Sequence, residues 1–351
     1  MKSAPAQSRK PAPQPVAARQ PERGRALAGA LVRWFRASNR DLPWRKTRDP
    51  YAIWVSEIML QQTRVEAVVP YYERFVARFP SAHVLAGAPL DDVLHAWSGL
   101  GYYRRARQLH VAAALVVRDH AGQLPDTDDA LRALPGIGPY TAGAIRSIAF
   151  GQAAPIVDGN VARVLSRVFA LRGGPGETSW EKRLWTLAAQ LVPAADPSAF
   201  NQGMMELGAT VCLPRAPRCG DCPLAKFCKA HASGREEEFP PARERARPTR
   251  VERVAIVERR ASDGAILMRQ RGEDEHNASL WEIALAAPDA AAPGAPIGMV
   301  RHSILTTDYR IAVHVRASRR SAAPAGLRWI ASGEREGLAL TTITRKVLKL
   351  L

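Results

Sequence analysis

The stretch LPGIGPYTAGAI, residues 134–145, is the segment on which the fold turns. It predicts two helices joined by a tight Gly-x-Gly hairpin, the second starting near Pro139. Such a hairpin aims the N–H groups of its loop and of the next helix's first turn at one point, which favours an anion such as a phosphate. Gly136 and Gly138 are expected to supply the positive φ and the close approach that the turn needs. Alone the hairpin is a modest signal, and its neighbours decide what it means.

All four cysteines fall between Cys212 and Cys228, with six, two and five residues between them. Four thiolates in one short loop, with no cysteine elsewhere in 351 residues, point to a metal site. Zinc sites usually pair cysteines two to four residues apart, and only Cys219 and Cys222 do so. The wider gaps favour a bulkier [4Fe–4S] cluster held by Cys212, Cys219, Cys222 and Cys228. A zinc ion and a disulfide loop are the alternatives. With no spare pairs, the cysteines indicate a reducing compartment.

The formal net charge of +17 points to a polyanion partner. No apolar run approaches the roughly 18 residues needed to cross a bilayer, so a soluble protein is expected. Residues 1–23, MKSAPAQSRKPAPQPVAARQPER, lack the apolar stretch of a secretory signal and predict a disordered basic arm. From 24 to 232 the apolar spacing is mostly helical, as in the stripe Leu27, Leu31, Trp34 and Phe35. Residues 233–250, SGREEEFPPARERARPTR, read as a linker. Beyond it, over 251–351, the pattern shifts to strands at 251–257, 265–271, 311–315 and 327–330, with a hairpin at Ser262-Asp263-Gly264 and a closing helix over 342–351. A mainly α domain followed by a small α+β domain is the expected architecture.

Twenty residues past the hairpin, PIVDGNVARVLSRVF places Asp158 before a helix that is expected to begin near Val161, with Asn160 as its candidate cap. The helix dipole and nearby N–H donors should hold Asp158 ionised. In DPYAIWVSEIMLQQTRVEAVVPYYERF, residues 49–75, Asp49-Pro50 starts a helix on which Glu57 shares a face with Ile53 and Trp54. A carboxyl among such desolvating groups tends to stay protonated. Read alone, Asp158 is an ordinary turn aspartate and Glu57 a surface salt-bridge partner. Together they offer one carboxyl kept as acid and another kept as anion, which glycosidic bond cleavage requires. In WSGLGYYRRARQL, residues 97–109, a glycine turn bears Leu100, Tyr102 and Tyr103 ahead of Arg104, Arg105 and Arg107. Apolar tips beside phosphate-binding cations suit a wedge pushed into a base stack.

These segments together resemble the MutY-type adenine DNA glycosylases of the helix-hairpin-helix superfamily, relatives of endonuclease III. The resemblance runs from about residue 25 to 232, through LPW at 42–44, SEIMLQQT at 56–63, GLGYYRRAR at 99–107, the hairpin, VDGNV at 157–161, NQGMMELGA at 201–209 and the four cysteines. It implies a monofunctional enzyme that removes adenine mispaired with 8-oxoguanine or guanine in double-stranded DNA. The adenine would be flipped out of the duplex. Glu57 would protonate it at N7, and Asp158 would stabilise the sugar cation or attack it, with Tyr140 and Asn160 ordering the site. Gln62, Thr63, Leu100 and Tyr102 match positions that grip or wedge beside 8-oxoguanine. Gly136, Gly138 and Arg45 are the corresponding DNA contacts, and Glu206 matches a further acidic pocket position. Endonuclease III-type enzymes carry a lysine where this chain has Tyr140, so strand cutting through a Schiff base is not expected.

The C-terminal domain resembles a Nudix-like module that helps these enzymes read 8-oxoguanine, through LWEIAL at 280–285 and RHSI at 301–304. The acidic metal box of that module is absent, so nucleotide hydrolysis is not expected. The Phe-Ser-His signature is missing as well, and Thr306 or Thr307 is expected to substitute as the hydrogen-bonding group. A monomer in a bacterial cytoplasm, at the nucleoid, is expected. The alternatives are an endonuclease III-like glycosylase for another lesion and a noncatalytic DNA-binding iron–sulfur protein.

Overall fold

A computed structural model describes residues 20–242, 248–275, 277–304 and 306–351. The basic arm expected over 1–23 therefore lies almost wholly outside the described residues, as does the middle of the expected linker. In chain order the helices are α1 (Gln20–Ser38), α2 (Pro50–Leu60), α3 (Val65–Arg78), α4 (Ala82–Gly87), α5 (Leu90–Ala96), α6 (Arg104–His120), α7 (Asp128–Arg132), α8 (Pro139–Ile148), α9 (Gly159–Phe169), α10 (Thr178–Leu191), α11 (Pro197–Thr210) and α12 (Lys229–Ala232). The strands β1 (Thr249–Arg260), β2 (Ile266–Gln270), β3 (Trp281–Glu282), β4 (Leu285–Ala286), β5 (Gly298–Ile304), β6 (Thr307–Ser318) and β7 (Arg328–Ile330) follow, and α13 (Ser332–Arg335) and α14 (Thr342–Leu348) close the chain. A mainly α region followed by an α+β region is what the change of apolar period predicts.

By their contacts the residues group into two units, Met1–Arg40 with Gly151–Ala242, and Asp41–Phe150 with Arg243–Leu351. In the first, α1 buries Leu27, Leu31 and Phe35 along one stripe and leaves Trp34 half-buried. That stripe packs on α11, which in turn packs on α9. A Cβ added at Gly208 of α11 would lie 2.5 Å from the Cβ of Asn160, so the side-chain-free position is what lets these two helices approach. Residues 233–242, expected to be linker with little to bury, instead pack on this unit. Arg167 Nε donates to the Phe239 carbonyl at 3.0 Å, and the Ala216 N–H donates to Glu237 Oε1 at 2.7 Å.

In the second unit α2 is buried from Tyr51 to Met59, all round, and forms the central helix. Asp49 caps it, accepting from the N–H groups of Tyr51 and Ala52 at 3.1 and 3.3 Å, with Pro50 in the first turn as its order predicts. Trp54, Phe75, Trp97, Leu109 and Ile145 fill the core around it, joined by Leu280 and Ala339 from the C-terminal segment. The sheet runs in the order β3-β2-β1-β6-β5, with β4 on β1 and β7 on β2. The long central pair, β1 and β6, is parallel, with Thr249 opposite Thr307 and Arg260 opposite Ser318. The β1–β2 hairpin turns at the expected Ser262-Asp263-Gly264, where Asp263 holds Arg260. Strand β5 was not expected: its burial alternates strictly, with Val300 buried and Met299, Arg301 and Ser303 exposed, but Gly298 and His302 fall on the inner side and Met299 on the outer, so the apolar pattern of GMVRHSI does not show it.

Candidate active site

Asp158 lies in the first unit as the N-cap of α9, which begins at Gly159. The expected start near Val161 and the expected cap Asn160 are both corrected. Asp158 itself accepts from the Val161 N–H at 2.7 Å, and Asn160 Nδ2 donates to its other oxygen at 3.2 Å. Burial pushes the Asp158 carboxyl above its usual range, while the Val161 and Asn160 donors and the Arg163 charge pull it down. Burial is the stronger influence and works against the helix dipole and N–H donors that are expected to hold the group ionised.

Behind this cap stand two arginines that the sequence reading passed over. Arg163 donates to Asn160 Oδ1 at 2.8 Å, to the Gly208 carbonyl at 2.8 Å and to the Cys212 carbonyl at 2.8 Å. Arg167, one turn on and 2 % exposed, reaches Cys212 Sγ at 3.4 Å and the carbonyls of Leu213 and Pro214 at 2.6 and 2.9 Å. Their i, i+4 spacing on the face of Asn160 was the available signal. Glu206, which matches an acidic pocket position, is held in a clasp with Arg40. It is 1 % exposed and accepts from Arg40 Nε at 2.8 Å and Nη2 at 2.9 Å, tying α11 to the end of α1.

All four cysteines line one cavity of about 20 Å³, with Val164, Val168, Leu207 and Leu224 as apolar wall. Burial pushes the Cys219 thiol up to about 12, helped by Glu236, and the Cys222 thiol up to about 11; Cys228 moves the same way. Thiols so placed keep their protons unless a cation replaces them. Among the described residues, the one trio of candidate ligand atoms within 4.8 Å of one another is Cys219, His231 and Glu236, not three cysteines. His231 and Glu236 are in contact at 2.6 Å. The cysteine loop is a candidate metal centre.

Glu57 lies in the second unit, on α2, and is 4 % exposed between Val55 and Met59, which are fully buried. The C-terminal end of α2 is tied to α8, the second helix of the hairpin, by Gln61 Nε2 donating to Thr141 Oγ1 at 3.3 Å. Tyr140 is the second residue of α8, half-buried. In the hairpin Gly136 has φ +82, as expected. Gly138 does not: it is extended at φ −95 and caps α8. A Cβ there would meet nothing within 4 Å, so this position leaves open space in front of the helix N-terminus.

Gln62 and Tyr102 both adopt positive φ, at 57 and 49, and both are exposed. Leu100 is not an exposed tip but 7 % exposed, packed in the helical core. One guanidinium holds both turns. Arg105 Nη1 donates to the carbonyls of Ile58 at 2.9 Å, Met59 at 2.8 Å and Gln61; Nη2 donates to Thr63 Oγ1 at 2.9 Å and the Gly101 carbonyl at 3.2 Å. Arg105 is therefore no phosphate contact, and Arg107 is half-buried; of the three arginines only Arg104 is exposed. Arg45 ends a short 3-10 turn after Trp44 and is half-buried. Thr306 and Thr307 sit at the β5–β6 turn, the first exposed and the second half-buried.

Residues 55–190 match the family described as HhH-GPD superfamily base excision DNA repair protein. The chain is 48 % identical to a human adenine DNA glycosylase over 223 residues, 61 % of this chain and 41 % of that protein. It is 41 % identical to an adenine DNA glycosylase of Buchnera aphidicola over 211 residues, 60 % of each chain. It thus spans about half the length of the curated relatives it matches. Among solved structures it is similar to a thermostable thymine-DNA glycosylase, at 33 % identity and a TM-score of 0.55, over 61 % of this chain and 99 % of that one. It shares the fold of an endonuclease III trapped as a covalent intermediate with DNA, at 23 % identity and a TM-score of 0.52, over 61 % of this chain and 98 % of that one.

Proposed function

Because this chain belongs to the HhH-GPD superfamily of base excision DNA repair proteins, we propose that it is a monofunctional adenine DNA glycosylase acting on adenine opposite 8-oxoguanine or guanine in duplex DNA. The observation that carries this is Glu57. A carboxyl 4 % exposed in the middle of an apolar helix costs folding free energy, and a general acid is the use that repays it. Glu57 protonates the flipped adenine at N7, which turns the base into a leaving group. Asp158, oriented by the Val161 N–H and Asn160, stabilises the oxocarbenium-like sugar or attacks it to form a transient adduct that water resolves. Tyr140 carries no amine, so no Schiff base forms at that position. Gln62, Thr63 and Tyr102 face the opposite base, and the open space at Gly138 admits a backbone phosphate to the N-terminus of α8.

We assign residues 24–232 to base removal and 251–351 to reading the oxidised base, with Thr306 or Thr307 as its polar contact. For the cysteine loop, a single tetrahedral zinc with Zn–S near 2.3 Å would hold its sulfurs about 3.8 Å apart. Among the described residues no trio of cysteines lies within 4.8 Å, which supports a wider [4Fe–4S] cluster on Cys212, Cys219, Cys222 and Cys228. When bound, such a cluster would cross-link the loop and take up four thiolates, leaving Arg215 and Lys226 to meet phosphate. Iron and sulfide analysis against zinc analysis decides the metal. Among the described residues no helix is long and apolar enough to cross a membrane; a monomer at the bacterial nucleoid is the setting proposed.

The 33 % identity to a thymine-DNA glycosylase over nearly all of that protein supports a second reading, excision of another base. Single-turnover assays on A:8-oxoG, A:G, C:8-oxoG, T:G and thymine glycol duplexes separate the two. Adenine release that Glu57→Gln and Asp158→Asn both abolish is the expected result. Thymine release without adenine release would favour the second.

A further inference from the structure

Helix α14 touches two places that the proposed function needs and that lie far apart in sequence. On one side Arg345 Nη2 donates to Ser98 Oγ at 2.6 Å and to Tyr103 Oη at 3.1 Å, and Tyr103 Oη donates to the Leu340 carbonyl at 3.1 Å. Ser98 and Tyr103 bound the turn that presents Tyr102, 49 % exposed and at positive φ. On the other side the adjacent Lys346 Nζ donates to the Arg301 carbonyl at 2.7 Å and lies 3.4 Å from His302 Nδ1. Arg301 and His302 are on β5, the strand that runs into the Thr306–Thr307 turn. The helix itself is fastened to the sheet. Thr344 Oγ1 accepts from the Ile283 N–H at 3.0 Å, and Thr341 N–H donates to the Trp281 carbonyl at 3.0 Å.

We propose that α14 is a strut between the Tyr102 turn and strand β5, and that Arg345 is a positioning residue that sets the Tyr102 turn for recognition of the base opposite adenine. This rests on the glycosylase reading. The turn has other anchors: Tyr71 Oη donates to the Ser98 carbonyl at 3.0 Å and Trp97 Nε1 to the Gly101 carbonyl at 3.2 Å. Those come from the helical segment itself. Arg345 supplies side-chain hydrogen bonds to the turn from the strand-rich segment, so a shift of β5 on meeting an oxidised base moves the turn through Lys346 and Arg345. A strut built from two adjacent residues transmits such a shift without a hinge. Arg345 touches neither reacting carboxyl, and its effect falls on binding and discrimination.

The test uses the full chain with Arg345→Met, which keeps the apolar stem, and Ser98→Ala, which removes the nearer acceptor and leaves α14 untouched. Without DNA, hydrogen exchange at the Gly99–Tyr103 amides should rise about tenfold in both variants, the effect of losing charge-assisted bonds. Unchanged exchange in both overturns the strut, whatever the protein acts on. In single turnover, Arg345→Met should raise the concentration for half-maximal adenine release from A:8-oxoG about tenfold. The saturating rate should stay within about twofold, and A:G should change less, so that the preference narrows. Lys346→Met should narrow it in the same way. A preference unchanged in both, or a fall only in the saturating rate, overturns the positioning role. If the unsubstituted chain releases no adenine from any duplex, the glycosylase reading fails, and the exchange result still decides whether the strut exists.

Discussion

Arg105→Met should unfold the second unit more easily than any single surface change. The guanidinium is 7 % exposed and serves at least five acceptors, in two turns that are forty residues apart. Two of them, the Ile58 and Met59 carbonyls, belong to the last turn of α2, where helical carbonyls have no partner inside the helix. Methionine fills much the same apolar volume and returns none of the donors. Two buried acceptors, the Ile58 and Met59 carbonyls, each losing about 1–3 kcal/mol when left unsatisfied, and three part-buried ones that lose less set the gross cost. Against it stands the relief of no longer dehydrating a guanidinium that burial has pushed down to about 10. A net loss of about 3–5 kcal/mol follows. Urea unfolding read by tryptophan fluorescence measures it, since the Trp97 ring lies 5.5 Å from the Arg105 carbon. Arg105→Lys, with three donors on a point charge, should recover only part, because it reaches one turn or the other. A methionine variant within about 1 kcal/mol of the unsubstituted chain would refute the reasoning, since water would then be satisfying those carbonyls.

Asn160→Ala removes a donor that pulls the Asp158 carboxyl down against burial. In the proposed reaction Asp158 works as an anion, so activity should fall as pH drops through its raised pKa, and the acid limb of the rate profile should move to higher pH in this variant. Stability runs the other way: a carboxyl raised in the folded state binds protons more readily than the unfolded chain does, so its contribution is present at low pH and shrinks as pH rises through the folded pKa. Glu206→Gln should cost about 2 kcal/mol in chemical unfolding, discounted because Arg40 is a third exposed. Gly208→Ala should cost about 1–3 kcal/mol and slow adenine release, as the new Cβ pushes on Asn160; an unchanged rate would mean the helices part without moving Asp158. Arg104→Gln should lower the slope of log affinity against log salt by about one, the value of one phosphate contact, with little effect on preference.

What was legible in the chain was what local chemistry writes down. Asp49-Pro50 specifies a helix start because a carboxylate, a missing N–H and a fixed φ all favour it at that place. The cysteine spacing and the Gly-x-Gly string are equally local, and the switch from a 3.6 to a 2 period announced the second fold type. The errors came where long-range packing decides. Leu100 looked like a tip because it stands between two glycines, yet it is drawn into the core around Trp97. Nor does anything local to Glu206 show that Arg40, 166 positions away, occupies both its oxygens. Nothing within a turn of Asp158 shows that burial outweighs its caps, because the burying groups arrive from elsewhere.

The same distinction limits what the net charge of +17 says about a polyanion. Arg40, Arg105, Arg163, Arg167 and Arg345 all count toward that figure, yet each spends its donors inside the protein, on carbonyls, hydroxyls or a buried carboxylate. Guanidinium suits this use: it is weakly hydrated, stays charged, and spans several acceptors with one rigid fork. The acceptors it serves are concentrated in irregular backbone, at the Gln61–Thr63 turn, the Gly99–Gly101 turn and the cysteine loop, where no helix or sheet supplies donors. Those are also the segments that carry an exposed glutamine, an exposed tyrosine and the candidate metal centre. In the function proposed, a basic sequence of this kind uses part of its charge to stiffen its loops and leaves the rest to attract DNA, and only burial separates the two portions. Arg104 and Arg105 are neighbours in sequence and fall on opposite sides of that line.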